Sequence, residues 1–179
     1  KKAGVLILLK KDIGSNEFQI LFTKRSSKLS THSGEVSFPG GMWEEKDTSL
    51  FDTAMRESNE EIGLKKKNVM DLGRMNYLLS RHKVEVNPFV GYLESNQEFI
   101  GNFEIDEIFD VPVSFLLNNN NIFYKEFKRN DLRISMPSWV YNGNRIWGLT
   151  ALITADFLNM CFDAKIDTNV DLIRGYDQY

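Results

Sequence analysis

Cysteine is nearly missing from this chain. A single Cys161 among 179 residues rules out an internal disulfide framework and offers no thiolate spacing for a metal, which points to a reducing compartment and a cytoplasmic location. Cys161 lies in an apolar periodic segment and is expected to pack in the core. Long hydrophobic runs are missing too: Val5 to Leu9 is far too short to span a bilayer or serve as a signal h-region, so no membrane partner is expected. The chain starts at Lys1, which leaves terminal targeting signals, organellar ones included, open; the last three residues, Asp177-Gln178-Tyr179, are not a peroxisomal tripeptide. There is no excess of one charge. Twenty-two basic and twenty-five acidic residues give a net charge of −3, so no global field draws the protein onto nucleic acid, and any polyanion must be met by local cations. Linkers are absent as well, since the polar tract Asn118 to Asn121 is too short to mark a domain boundary. One domain over 1–179 is expected, with a core over about 3–162 and an extension over 163–179.

The hydrophobic content of 42% suits a folded core. Ala3 to Leu9 and Phe18 to Thr23 are rich in Val, Ile and Leu and flank the polar break Asp12 to Asn16, a β-hairpin pattern. Lys24 to Gly34 reads as a polar loop carrying Lys24, Arg25, Lys28 and His32. A short strand, Glu35 to Phe38, runs into the turn Pro39-Gly40-Gly41. Ser49 to Ile62 is helical in pattern, with Asp47, Thr48 and Ser49 competent N-caps, Ser49 and Asp52 matching a capping box, and Gly63 placed to end it. Val69 to Leu79 and Val84 to Leu93 read as strands joined by the basic turn Ser80-Arg81-His82-Lys83. Val113 to Leu117 is a short helix begun at Pro112. Ile122 to Phe127, Ile134 to Val140 and Arg145 to Trp147 are strands, the last two joined by a turn at Asn142-Gly143. Gly148 to Phe162 has helical spacing. The fold class is α/β (α+β), a sandwich with a mixed sheet.

The stretch that carries chemistry is Phe38 to Leu64. At about 100° per residue, Phe51, Ala54, Met55, Ser58 and Ile62 share one sector of the helix, and Glu57, Glu60 and Glu61 share another. Three carboxylates on one face repel each other, and a divalent cation removes the conflict. Oxygen ligands suit Mg²⁺ or Mn²⁺ rather than zinc, and such an ion completes its shell with waters or phosphate oxygens. A solvated acidic face is the plain alternative.

The run Arg56-Glu57-Ser58-Asn59-Glu60-Glu61-Ile62-Gly63-Leu64, preceded by Gly41 and a helix start, resembles the signature of the Nudix hydrolases, which cleave a nucleoside diphosphate linked to another moiety. The resemblance implies a Nudix-type α/β/α sandwich and a Mg²⁺ or Mn²⁺ cofactor. It places Glu57 and Glu61 as metal ligands, Glu60 as a third and the Gly41 carbonyl as a contributor from the turn, with Arg56 orienting the glutamates through a salt bridge. The signature's glutamate eight residues before the arginine is Thr48 here, with one extra residue between Gly41 and Arg56, and Asp47 is expected to serve as the cap instead. Ser58 stands where an aliphatic or small residue is usual.

Leu21 to Ser26 and His32 to Gly41, together with Pro88 to Gly91, Phe109 to Pro112 and Ile146 to Ala151, look like the coenzyme A pyrophosphatase branch of that family. An arginine often found near Ser30 is absent. The implied reaction splits coenzyme A or its thioesters into 4′-phosphopantetheine and 3′,5′-ADP. Arg25, Lys24, His32 and Gly40 are then candidates for binding substrate, Arg25 foremost. For the base that activates water, the family pattern offers a glutamate outside the signature, Glu104 in preference to Glu107, or the first glutamate of the signature, Glu57; Asp106 is expected to face solvent. Glu57, Glu61 and Glu104 form the candidate catalytic set. Trp147 is expected to pack, Trp43 could border the site, and Trp139 has no assigned role. Three readings stay open: a coenzyme A diphosphatase; a hydrolase of ADP-ribose, NADH, another dinucleotide or a capped RNA end; and a non-catalytic binding module. The partner is a small nucleotide, with nucleic acid disfavoured and a homodimer left open.

Overall fold

The computed structural model describes residues 1–29, 32–129 and 132–168; the expected extension therefore lies largely outside the described residues, at 169–179. In chain order, β1 (Lys2–Lys11) and β2 (Phe18–Arg25) are followed by β3 (Val36–Ser37), β4 (Gly40–Met42) and α1 (Leu50–Ile62). Then come β5 (Val69–Arg74), β6 (Leu78–Leu79), β7 (Glu85–Leu93), β8 (Ile105–Pro112) and α2 (Val113–Leu117). The described chain closes with β9 (Phe123–Arg129), β10 (Leu132–Tyr141), β11 (Asn144–Ile146) and α3 (Gly148–Phe162).

The main sheet is mixed. β1 pairs antiparallel with β2, placing Leu8 opposite Leu21, and parallel with β7, placing Leu6 opposite Phe89. β5 and β6 extend it through β7, and β8 extends it through β2. Because successive side chains on a strand point to opposite faces, β1 serves two cores. Leu6 and Leu8 pack with Leu21, Ala54, Met55 and Ile62 under α1, while Ile7 and Leu9 join Phe22, Leu152, Phe157 and Leu158 on the α3 side. Each fully covered aliphatic side chain contributes on the order of 2 kcal/mol. The arrangement is the α/β/α sandwich expected from the sequence. α3 is buried along most of its length, Ala151 to Ala155 together with Phe157 and Leu158, and packs against β10 of the three-stranded sheet β9–β11.

Several expectations change. The Pro-Gly-Gly segment is not only a turn: Gly40 to Met42 form β4, hydrogen-bonded to β1 with Gly41 opposite Gly4. Lys24 and Arg25 belong to β2 and not to the loop after it. The expected strand from Val69 to Leu79 is split into β5 and β6. β8 was not legible as a strand, because Asp106, Glu107 and Asp110 interrupt its alternation. Cys161 is exposed rather than in the core, since it falls on the outer side of the last turn of α3. Trp147 does not pack inside either; it is 41% exposed at the N-cap of α3. Trp139, left without a role, is fully buried and donates its indole N–H to the Leu116 carbonyl.

Candidate active site

α1 starts as the sequence requires. Ser49 is the N-cap and accepts from the Asp52 amide, and Gly63 at φ 71° closes the helix by donating to the Asn59 carbonyl. Asp47 is therefore not the cap. Its carboxylate receives the Nε of Arg56 at 2.8 Å and the Nη2 at 3.0 Å, and Thr53 Oγ1 donates to it at 2.9 Å. A two-pronged arginine–carboxylate pair of this kind fixes the guanidinium plane. The arginine beside it holds the Asp47 carboxyl well below the usual carboxylate range.

Arg56 spends its remaining donors on the site. It reaches Glu57 at 2.9 Å, Glu60 at 3.4 Å and the Met42 carbonyl of β4 at 3.0 Å. One guanidinium thus ties the acidic helix to the strand that carries Gly40 and Gly41.

Glu61 is the buried member of the cluster, 6% exposed. Its Oε2 accepts from the Gly40 amide at 3.0 Å, and its Oε1 lies 3.7 Å from Arg25 Nη1. Burial outweighs those contacts and pushes its pKa up to about 7. Burial also raises the Glu57 carboxyl, against the opposing pull of Arg56. Arg25 also reaches Glu104 at 3.1 Å, while its Nε is buried with no partner among the described residues.

Glu104 is held by a residue that sequence reasoning passed over. Asn102 accepts from the Glu104 amide at 2.8 Å, donates its side-chain amide to the Glu60 carbonyl at 3.0 Å, and donates its backbone amide to the Glu61 carbonyl at 2.9 Å. The signal was present in the Gly101-Asn102 pair, since an asparagine after a glycine favours such a side-chain turn onto the backbone two residues on. Glu107 turns elsewhere, accepting from Asn144 at 2.9 Å. Asp106 is exposed, as expected, and accepts from the Ser27 amide at 2.9 Å.

Of the residues singled out from the sequence, the fold brings together Arg25, Gly40, Gly41, Glu57, Glu61 and Glu104. Glu60 joins through Arg56. Lys24 and His32 form no hydrogen bond or ion pair with the glutamates of α1 among the described residues; the His32 ring lies 2.8 Å from Glu35 Oε2 and is 54% exposed. Trp43, the tryptophan expected at the border of the site, leaves β4 with 44% of its surface exposed.

The cluster suits a hard divalent cation by three observations. Its donors are all oxygens, the set that Mg²⁺ and Mn²⁺ favour. A Cβ at position 41 would come within 2.5 Å of the Glu57 Cδ, so a side chain there would push that carboxylate away from the β4 backbone. Glu57 and Glu61 are desolvated more than their cationic neighbours offset. As the side chains lie, with Arg56 and Arg25 engaging the carboxylate oxygens, no three His, Cys, Asp or Glu among the described residues converge tightly enough to hold a metal.

A family model described as NUDIX domain matches residues 1–121. Nudix hydrolase 15, mitochondrial, of Arabidopsis thaliana is 40% identical over 159 residues, 84% of this chain and 55% of that protein. Mitochondrial coenzyme A diphosphatase NUDT8 of Homo sapiens is 36% identical over 140 residues, 75% of this chain and 59% of that protein. The chain thus spans little more than half the length of these two relatives. Among solved structures, a MutT/nudix family protein from Enterococcus faecalis superposes with a TM-score of 0.60 at 14% identity, covering 90% of this chain and 62% of that one. That likeness concerns the fold.

Proposed function

This chain belongs to the Nudix family, and from that membership we propose that it is a divalent-metal-dependent hydrolase that cleaves the diphosphate of coenzyme A or its thioesters. The observation that carries the reading is the desolvated carboxylate pair Glu57 and Glu61, set against the Gly40-Gly41 backbone with Arg25 and Glu104 alongside. Support for the substrate comes from the segment that delivers Arg25 and from the similarity to a relative described as a coenzyme A diphosphatase.

Glu57, Glu60, Glu61 and the Gly41 carbonyl would hold a divalent cation, which when bound would neutralise charge on the diphosphate and lower the pKa of water. The oxygen chemistry of those groups is the kind Mg²⁺ or Mn²⁺ takes. The chain's own groups do the rest. Arg25, with its unpartnered Nε, binds a non-bridging oxygen of the diphosphate. Arg56 keeps Glu57 and Glu60 oriented. Glu104 accepts the proton of the attacking water; the new P–O bond forms as the P–O–P bond breaks, and the leaving phosphate departs with the bridging oxygen. The products are 4′-phosphopantetheine and 3′,5′-ADP. Glu104 is preferred over Glu107 as the base because it pairs with Arg25, which also approaches Glu61, while Glu107 is bound to Asn144.

The test is product mass spectrometry in ¹⁸O water, with coenzyme A, ADP-ribose and NADH offered in turn under Mg²⁺ and Mn²⁺. The expected result is turnover of coenzyme A with the label in one phosphate product. Turnover of ADP-ribose far above that of coenzyme A would overturn the substrate assignment.

A further inference from the structure

The turn between β6 and β7, Ser80 to Lys83, carries three cationic or proton-binding side chains in a row, and nothing in the site described above uses them. The turn is ordered by its own bonds. Ser80 Oγ accepts from the His82 amide at 3.3 Å and from the Val84 amide at 3.1 Å, and the Lys83 amide donates to the Ser80 carbonyl at 3.0 Å. Lys83 sits at φ 57°, the left-handed conformation that closes a tight turn. Arg81, His82 and Lys83 are all exposed, and none forms an ion pair with a described residue. Glu85, two residues past the turn, is engaged by Lys2 at 3.8 Å, and Glu35, beside His32, by that ring at 2.8 Å.

Sheet register places this turn at the same end of β1 as Met42 of β4. β7 starts beside the start of β1, with Glu85 opposite Lys2. On the other side of the same end of β1, Ala3 faces Met42 of β4, and the Trp43 amide donates to the Lys2 carbonyl at 3.0 Å. Met42 is the residue whose carbonyl Arg56 grips. The opposite bank is fixed to Arg25: its amide donates to the Glu35 carbonyl at 2.9 Å, and its carbonyl accepts from Gly34 at 3.1 Å. From that bank His32, at φ 55°, meets His82 ring edge to ring face, with centroids 6.1 Å apart and planes at 86°. The two histidines of the chain therefore meet between the turn and the segment fixed to Arg25.

We infer that the Ser80–Lys83 turn is a second anion subsite, in which Arg81 and Lys83, flanked by the His82–His32 pair, receive a phosphate monoester of the substrate remote from the diphosphate. The inference rests on the coenzyme A reading, whose substrate carries such a group as its 3′-phosphate. Arg81 supplies a planar two-donor fork and Lys83 a point charge, the two modes by which proteins hold phosphate oxygens. The acidic cluster around Glu57 and Glu61 would repel that monoester, so cations set apart from it are needed to keep the substrate in one orientation.

The experiment compares coenzyme A with dephospho-coenzyme A, which lacks the 3′-phosphate, in wild type and in the double variant Arg81→Ser, Lys83→Ser. Wild type is expected to favour coenzyme A through KM. The double variant is expected to raise KM for coenzyme A by about tenfold, the scale of losing charge-assisted contacts at an exposed site, with kcat held. KM for dephospho-coenzyme A should not move, and the wild-type preference should shrink as salt is raised. An equal effect on both substrates, or none on either, overturns the subsite while the coenzyme A reading stands. Absence of turnover of coenzyme A by wild type overturns both. Far-ultraviolet circular dichroism and unchanged dephospho-coenzyme A kinetics exclude a folding defect in the variant.

Discussion

Glu61 is the residue at which stability and chemistry oppose each other. Its carboxyl is buried and its pKa lies at about 7 instead of 4.5, so the folded protein holds this proton more tightly than the unfolded chain does. The contribution of that proton is fully present below pH 4.5 and lost as pH rises through 7, which costs on the order of 3 kcal/mol at alkaline pH. Glu61→Gln removes the charge while keeping an oxygen that can accept from the Gly40 amide. The metal-free variant is expected to melt several degrees higher than wild type at about pH 8 and close to it at about pH 5. Its turnover should fall by orders of magnitude, since each lost ~1.4 kcal/mol of transition-state stabilisation costs tenfold. Thermal melts at the two pH values, read beside activity, check this; a variant that melts lower than wild type at the alkaline pH would refute it.

At the scale of elements, the site is a junction of one helix, two strands and one loop, and Asn102 is where the loop is fastened to the helix. Replacing it with alanine removes the bond to the Glu60 carbonyl and the one that orients Glu104. Asn102→Ala is expected to lower kcat about ten- to a hundredfold with KM changed little, and Asn102→Asp, which keeps the acceptor for Glu104 but not the donor to Glu60, should fall between. Steady-state kinetics of the two variants make the check. The helix end of this junction was legible in the sequence because its cap, its αL glycine and its periodic faces are local signals: α1 runs from Leu50 to Ile62 as the pattern requires. The expected acidic face was less uniform than periodicity implies, since Glu60 is exposed and Glu61 is buried under β4 and Arg25, a difference set by tertiary neighbours. Asp47 was misread for the same reason. A cap is a property of the adjacent residues, whereas its partner Arg56 sits nine positions away and meets it only once the helix is formed. The pairing of β4 with β1 and the contact of His32 with His82 join segments far apart in the chain, and no local pattern encodes them.

Across the whole molecule, the net charge of −3 says nothing of local balance: α1 gathers Asp52, Glu57, Glu60 and Glu61 in one helix. A cation that binds the folded cluster and not the unfolded chain stabilises the protein by mass action, about 2.7 kcal/mol at a hundredfold excess over Kd. For a chain of this length that amounts to a rise in Tm of roughly 5–10 °C. Millimolar MgCl₂ or MnCl₂ is expected to produce it at about pH 8 in wild type and to lose most of its effect in Glu57→Gln, with differential scanning fluorimetry as the readout. Equal shifts in both proteins would remove Glu57 from the metal site.

Gly4 has no side chain and performs no chemistry, yet it lies where β1 crosses the first turn of α1 so closely that any Cβ would collide with the Leu50 carbonyl, and on its other edge it pairs with Gly41. The acidic helix and β4 are therefore both gauged from one point of bare backbone. Such a joint has no rotamer with which to absorb an error, so a displacement of β1 is passed on undiminished to both jaws of the site together. The spacing between Glu57 and Gly41 is protected against drift by a position that would be passed over in any search for functional side chains.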